Sequence, residues 1–304
     1  RSPLLRDDAL TATVVKRGGE IARRSVLGAA VVSIAGGSFV RPADASAEAK
    51  APAVNRAPFD AATCEIVEDL KPKIVSFHFG LPETALLERV KASGCKVLSS
   101  ATTVAEAEWL VACGCDAIIA QGYEAGGNRG IFLNEDVFAQ AGTMALVPQV
   151  VDAVDVPVIA AGGIADGRGI AAAFALGAEG VQMGTRMVSA LESPVHNNWK
   201  NRIVEAEETD TVFLNKFHSP ALRALRTKRT TQMEKNIDEN VFGQFGDAKS
   251  LYFGGDMEAA VALSGQVAGR IESIRPVSDI IQETIRDFYS IVASLSKNYP
   301  QGQK

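Results

Sequence analysis

The sequence predicts an α/β fold, a (β/α)8 barrel left incomplete at its N-terminal strands and followed by a C-terminal helical extension. Between Lys73 and Met187 short β-branched apolar runs alternate with amphipathic segments, the pattern of repeated βα units on a parallel sheet. Glycine-rich stretches follow several of those runs, where the loops of such a barrel build a binding site. The 304 residues, 47% of them hydrophobic, also suit one barrel of about 250 residues.

Six strands are legible: Ile74–Phe79, Lys96–Ser99, Ala117–Ala120, Ala145–Pro148, Val158–Ala161 and Gly180–Met183. Helices are expected over Pro82–Ser93, Val104–Cys113 and Gly167–Gly177, each ending near a glycine as helices commonly do. A closed barrel needs eight strands, so the missing ones come from the first 60 residues or are absent. Past Thr185 the apolar spacing predicts helices over Val195–Glu207, Pro220–Glu234, Asp256–Ile274 and Val277–Leu295. Gly254-Gly255-Asp256 reads as a turn whose aspartate caps the helix after it. The divisions are an N-terminal segment 1–54, a barrel 55–215 and C-terminal helices 216–304.

The N-terminal segment reads two ways. Ala22-Arg23-Arg24-Ser25 opens an apolar run to Val40, with Ala45-Ser46-Ala47 beyond, the order of a twin-arginine export signal. Alternatively Ser25 to Val40 is a degenerate first barrel unit turning at Gly36-Gly37, in a cytoplasmic protein. Pro42 to Pro58 reads as linker on either view.

A net charge of −5 without a basic block in the central region argues against a nucleic-acid surface. Outside Ser25 to Val40 no stretch is long enough to span a membrane. Cys64, Cys95, Cys113 and Cys115 lack metal or disulfide-framework spacing, and His78, His196 and His218 are scattered, so no metal site is expected. The partner is a small molecule; a homo-oligomer is left open.

Three post-strand segments carry the chemistry. Gln121 to Gly130 holds four glycines in ten residues, Gly162-Gly163 opens a second loop, and Gln182-Met183-Gly184-Thr185 a third. Glycines let backbone N–H groups approach a phosphate closely, and a following helix N-terminus favours negative charge. Any one loop could be only a tight turn. Two on consecutive strands point to a nucleotide or FMN phosphate.

Ser76-Phe77-His78-Phe79-Gly80-Leu81-Pro82, Glu124-Ala125-Gly126-Gly127, Val158 to Ile170 and Gln182 to Thr185 together resemble the nitronate monooxygenase family. The resemblance runs from about Asn55 through Arg186 and more loosely over Gly255 to Gly269. It implies a TIM-type barrel, non-covalent FMN, and oxidation of a nitronate with dioxygen. Carried over by position, Gln121 and Gly126 line the flavin and Gly163 contacts its phosphate. Gln182, Met183, Gly184 and Thr185 close around phosphate and ribityl chain. The family's catalytic histidine follows Glu-Ala-Gly-Gly, where this chain has Asn128. A carboxamide cannot take a proton near neutral pH as imidazole can. Neutral nitroalkanes must lose a proton from carbon before oxidation, whereas nitronates need not, so activity confined to nitronates is expected. The Pro-Met-containing loop with which the family begins is not found in this sequence. Related FMN-dependent enoyl reductases using NAD(P)H share the Glu-Ala-Gly-Gly loop, and a catalytically impaired flavin-binding homologue is the third reading.

His78 could replace the missing base but reads more readily as packed; Glu124 reads as a backbone-fixing acceptor. Tyr123 could wall the substrate, and Ser99, Ser100 and Thr102 could donate to the flavin edge. Lys216, His218, Arg223 and Arg226 read as a solvated helix face.

Overall fold

The structure, a computed structural model, describes residues 12–15, 31–33, 59–133, 136–216, 220–236, 248–259 and 261–299. In chain order the elements begin with β1 (Ala12–Val15), β2 (Val31–Ser33), α1 (Ala61–Leu70), β3 (Ile74–Phe77), α2 (Thr84–Ala92), β4 (Lys96–Ala101) and α3 (Val104–Ala112). β5 (Ala117–Gln121), β6 (Gly127–Asn128), α4 (Thr143–Ala153), β7 (Val158–Ala161), α5 (Gly167–Ala175), β8 (Gly180–Met183) and α6 (Thr185–Val188) follow. The remainder is α7 (Asn197–Val204), β9 (Thr211–Leu214), β10 (Leu222–Leu225), α8 (Lys228–Lys235), α9 (Ala248–Tyr252) and α10 (Val277–Asn298).

One sheet runs β1-β8-β7-β5-β4-β3-β2, parallel throughout except for β1, which lies antiparallel on β8. Among the described strands β1 and β2 do not pair with each other, so the βα units form an incomplete (β/α) barrel. Most of the export-like run lies outside the described residues; its Val31–Ser33 pairs in parallel with β3.

Strand alternation divides the core. Val75, Val97, Ile118, Ala120, Ala160, Val181 and Met183 face the helices in the largest cluster, while Leu98, Ala117, Ile119, Ile159 and Ala161 fill the inner face. Side-chain caps start the helices where the sequence supplies them. Asp60 accepts from the Thr63 N–H at 2.8 Å, Thr103 from Glu106, and Asp166 from Arg168 and Gly169. α10 packs on α5 through Phe288 and Phe174, ring centroids 5.5 Å apart.

Three expectations are corrected. Ala145–Pro148 is not a strand but lies inside α4. Leu146, Val147 and Val150 are buried at helical spacing, while Pro148 in the second turn leaves only the carbonyl of exposed Met144 without its helical donor. Pro220–Glu234 is not one helix: Leu222–Leu225 forms β10 between β6 and β9, and α8 begins after it. Leu, Arg and Ala favour helix locally, but pairing on both edges overrides that weak preference. Asp256–Ile274 is not one helix: its described residues give a turn, a bridge from Leu263 to Ala224, and a 3-10 turn over Gln266–Arg270 that starts after Gly265. Asp256 does accept from Glu258 and Ala259, closing that turn. The β9–β10 hairpin was not anticipated, and it crosses the expected 215/216 division.

Candidate active site

The parallel register sets Gln121, Ala161 and Gln182 side by side at the carboxyl ends of β5, β7 and β8. By alternation both glutamines share the inner face with Ile119 and Ile159. The small Ala161 between them keeps that floor flat. Met183 points the other way and is buried in the sheet–helix core, so only its backbone faces the loop.

From β5 the chain enters the glycine-rich loop, which is fastened at several points. Gln121 Nε2 donates to the Asn128 carbonyl at 3.0 Å, and Gln121 Oε1 accepts from the Gly130 N–H at 2.8 Å. His78 Nε2 lies 3.2 Å from the same carbonyl; that contact requires a proton on Nε2, which fixes the tautomer. β6 then pairs Asn128 with Leu222 of β10. Glu124 accepts from the N–H and hydroxyl of Thr143 at 2.8 and 2.9 Å, the backbone-fixing role expected of it. Gly126 touches the Ser264–Gly265 backbone so closely that a Cβ would stand 2.3 Å from the Gly265 nitrogen. Thr185 Oγ1 accepts from that same nitrogen at 2.9 Å. The loops after β5 and β8 therefore meet on one 3-10 turn.

Beneath the loop lies a buried polar network. Arg129, fully buried, donates to the carbonyls of Gln121 and Gly122 at 2.9 and 2.5 Å and to Gln140 Oε1 at 2.7 Å. Gln140 donates to Thr102, whose hydroxyl donates to Glu106. The Glu106 carboxylate, also fully buried, accepts in addition from the N–H groups of Thr102, Phe132 and Leu133. Sequence reasoning missed Arg129, Gln140 and Glu106. The Thr103-x-x-Glu106 spacing of a capping box was the available signal for Glu106; nothing local marks a surface-type arginine as buried.

Burial dominates the electrostatics. Although His78 as a residue is only half-buried, its ring is enclosed by Phe79 and Gly130. Desolvation first, and repulsion from Arg129 with it, bring its pKa from 6.5 to about 4 against the opposing bond to Asn128. Desolvation, with Arg223 nearby, likewise lowers the Arg129 guanidinium to about 10. Both shifts disfavour additional protons beside Asn128.

Other expected contacts are used structurally. Ser99 donates to the Gly80 carbonyl at 2.8 Å and Thr102 belongs to the Glu106 network, so neither hydroxyl edges the site; Ser100 does stand on the inner face next to Gly130. Tyr123 stacks on Phe213 at 5.1 Å under Arg223. Arg223 is buried on β10 and donates to the Tyr123 carbonyl, while Lys216 and Arg226 pair with Glu234. The solvated helix face is thereby corrected; His218 lies outside the described residues. Among the described residues no cluster of His, Cys, Asp or Glu could hold a metal ion.

The flavin phosphate expected from the glycine loops meets a backbone that fits it. Gly163 is exposed with φ +72°, a conformation glycine tolerates. Exposed Gly184 has no protein atom within 4 Å of where a Cβ would be, which leaves room above the loop.

The profile of the Nitronate monooxygenase family matches residues 42–287. A probable nitronate monooxygenase of Staphylococcus aureus (strain JH9) is 37% identical over 238 residues, 75% of this chain and 67% of that one. Among solved structures, FabK from Thermotoga maritima superposes with a TM-score of 0.70 at 35% identity, covering 80% of this chain and 76% of that chain. A nitroalkane oxidase from Streptomyces ansochromogenes superposes with a TM-score of 0.69 at 30% identity, covering 77% and 69%. The barrel, its glycine loops and this matched span together make the chain a member of the nitronate monooxygenase family, a family of flavin-dependent oxidoreductases.

Proposed function

We propose that the protein is an FMN-dependent oxidoreductase that oxidises alkyl nitronates with dioxygen. The observation that carries this is the setting of Asn128: a residue that is not a base, clamped through its carbonyl by His78 and Gln121, beside the buried cation Arg129. Arg129 is held by carbonyl and carboxamide oxygens rather than by a carboxylate. Glu124 and Glu106 act on it only through space, so part of its charge is left to favour an anion. A nitronate arrives already deprotonated and needs only to be held, so the Asn128 carboxamide orients its nitro group by hydrogen bonding. His78, neutral and committed to the Asn128 carbonyl, positions rather than catalyses. When bound, FMN supplies a two-electron acceptor that dioxygen can restore. Gln121 and the Gly126 loop would line its ring, and the backbone of Gly163 and of Gln182 to Thr185 would hold its phosphate and ribityl chain.

The test is oxygen uptake by protein whose chromophore is identified after heat release. FMN in the supernatant and turnover of ethylnitronate far faster than of neutral nitroethane are expected. Equal rates on the two would refute the role of Asn128, and a colourless protein that takes up no FMN would refute the reading as a whole. A second reading, an NAD(P)H-dependent enoyl reductase, is favoured by the likeness to FabK. NAD(P)H consumption with an enoyl thioester and no nitronate would select it.

A further inference from the structure

Phe79 combines a strained backbone with a partly exposed ring beside the site. Its φ is +67°, a region that a bulky L residue avoids. It directly follows His78 beyond β3 and remains 37% exposed. Its ring centroid is 4.5 Å from that of the imidazole, which in turn contacts the Asn128 carbonyl. The surroundings enforce the turn. Fully buried Ser99 donates to the Gly80 carbonyl at 2.8 Å, and the Phe132 ring lies 3.2 Å from where a Gly80 Cβ would stand. Glycine or asparagine would adopt this backbone more easily. The chain instead holds an aromatic ring there, one imidazole away from the residue that would receive the nitro group.

We propose that Phe79 is a specificity-determining residue: its ring forms an apolar wall for the alkyl chain of a nitronate whose charged head lies at Asn128. The preferred substrates are then linear alkyl nitronates of several carbons, over the shortest ones and over those with a second charge on the chain. This rests on the nitronate reading. The polar end is set by Asn128 and Arg129, and the apolar end by a ring that a strained turn keeps at the mouth.

The experiment compares wild type with Phe79→Gly, which relaxes the turn, Phe79→Ala, which keeps its strain, and Phe79→Leu, which keeps an apolar side chain. For the nitronates of nitroethane, 1-nitropropane, 1-nitrobutane and 1-nitrohexane, kcat/KM of wild type should rise about two- to fourfold per added methylene. Phe79→Leu should keep most of that rise. Phe79→Gly should flatten it while retaining flavin and melting above Phe79→Ala. A Phe79→Gly variant with the full chain-length dependence overturns the proposal. Loss of flavin from Phe79→Gly and Phe79→Leu alike also overturns it, because the ring would then support the cofactor pocket rather than the alkyl chain. In parallel, binding of acetate, butyrate and hexanoate is followed by the perturbation of the visible spectrum. Tightening with length in wild type but not in Phe79→Gly supports the wall, and equal tightening in both refutes it. Failure of wild type to turn over any nitronate refutes the functional reading, and the carboxylate series still decides the place of Phe79.

Discussion

His78 gives the most quantitative expectation. Folding moves its pKa from 6.5 to about 4, so between those values the unfolded chain binds the proton that the folded chain refuses. Stability therefore falls as pH drops from 6.5 towards 4, and the contribution is at its full value only above that window. At about pH 5 the unfolded imidazole is almost wholly protonated and the folded one only about a tenth so, a loss of about 2 kcal/mol. That is a sizeable share of the roughly 5–15 kcal/mol by which domains are stable. Urea unfolding of wild type and His78→Gln across this range isolates the effect, because all other titrating groups are common to both. The variant can keep a donor to the Asn128 carbonyl but has no proton to gain. Its urea midpoint should therefore decline less on acidification, by about 2 kcal/mol when multiplied by the common m value. Parallel pH profiles for the two proteins would refute the burial argument and put a readily protonated imidazole beside Asn128.

Three further expectations bear on the loop. Glu106→Ala strands the buried N–H and hydroxyl of Thr102 and the partly buried N–H groups of Phe132 and Leu133, so urea unfolding should show a loss of about 3 kcal/mol; under about 1 kcal/mol the network is not what holds the loop. Gly126→Ala and Gly184→Ala should separate packing from binding. The first drives a methyl to 2.3 Å from the Gly265 nitrogen and should lower the melting temperature. The second meets no protein atom within 4 Å and should leave melting of the flavin-free protein unchanged while weakening FMN retention. Asn128→His should add turnover of neutral nitroethane that rises with pH as imidazole deprotonates, and no gain would mean that more than the missing base limits this site.

Most of the parallel strands were legible as short apolar runs followed by glycine, and Val158–Ala161 and Gly180–Met183 fall where the pattern puts them. Periodicity failed where a run was equally apolar in two geometries. Ala-Leu-Val-Pro at 145–148 satisfies a strand or a buried helix turn, and only the placement of Leu146, Val147 and Val150 in the core decides between them. β10 was invisible for a different reason: one partner, β6, is short and distant in sequence, and Leu-Arg-Ala-Leu favours helix locally over pairing with nearby β9. In the site, the glycines and Asn128 could be named from their loops. The side chains that fasten those loops could not, because a buried Arg129 and a solvated arginine look alike in sequence.

Those fastenings explain why exchanging one site residue need not dismantle the site. Glu106 takes four donors on its two oxygens, so its negative charge is spent within the network. Arg129, at the other end, donates only to carbonyl and carboxamide oxygens and meets Glu124 and Glu106 through space rather than in an ion pair. The network is therefore polarised, with an arginine that no carboxylate pairs directly at the Asn128 end. An anion there gains from that charge, whereas a base there would lose, since protonating it places a second cation beside Arg129. The low pKa of His78 already records that penalty in part. Asparagine, which orients an anion without titrating, is the side chain this field favours, and a substrate that brings its own negative charge is the one it should hold.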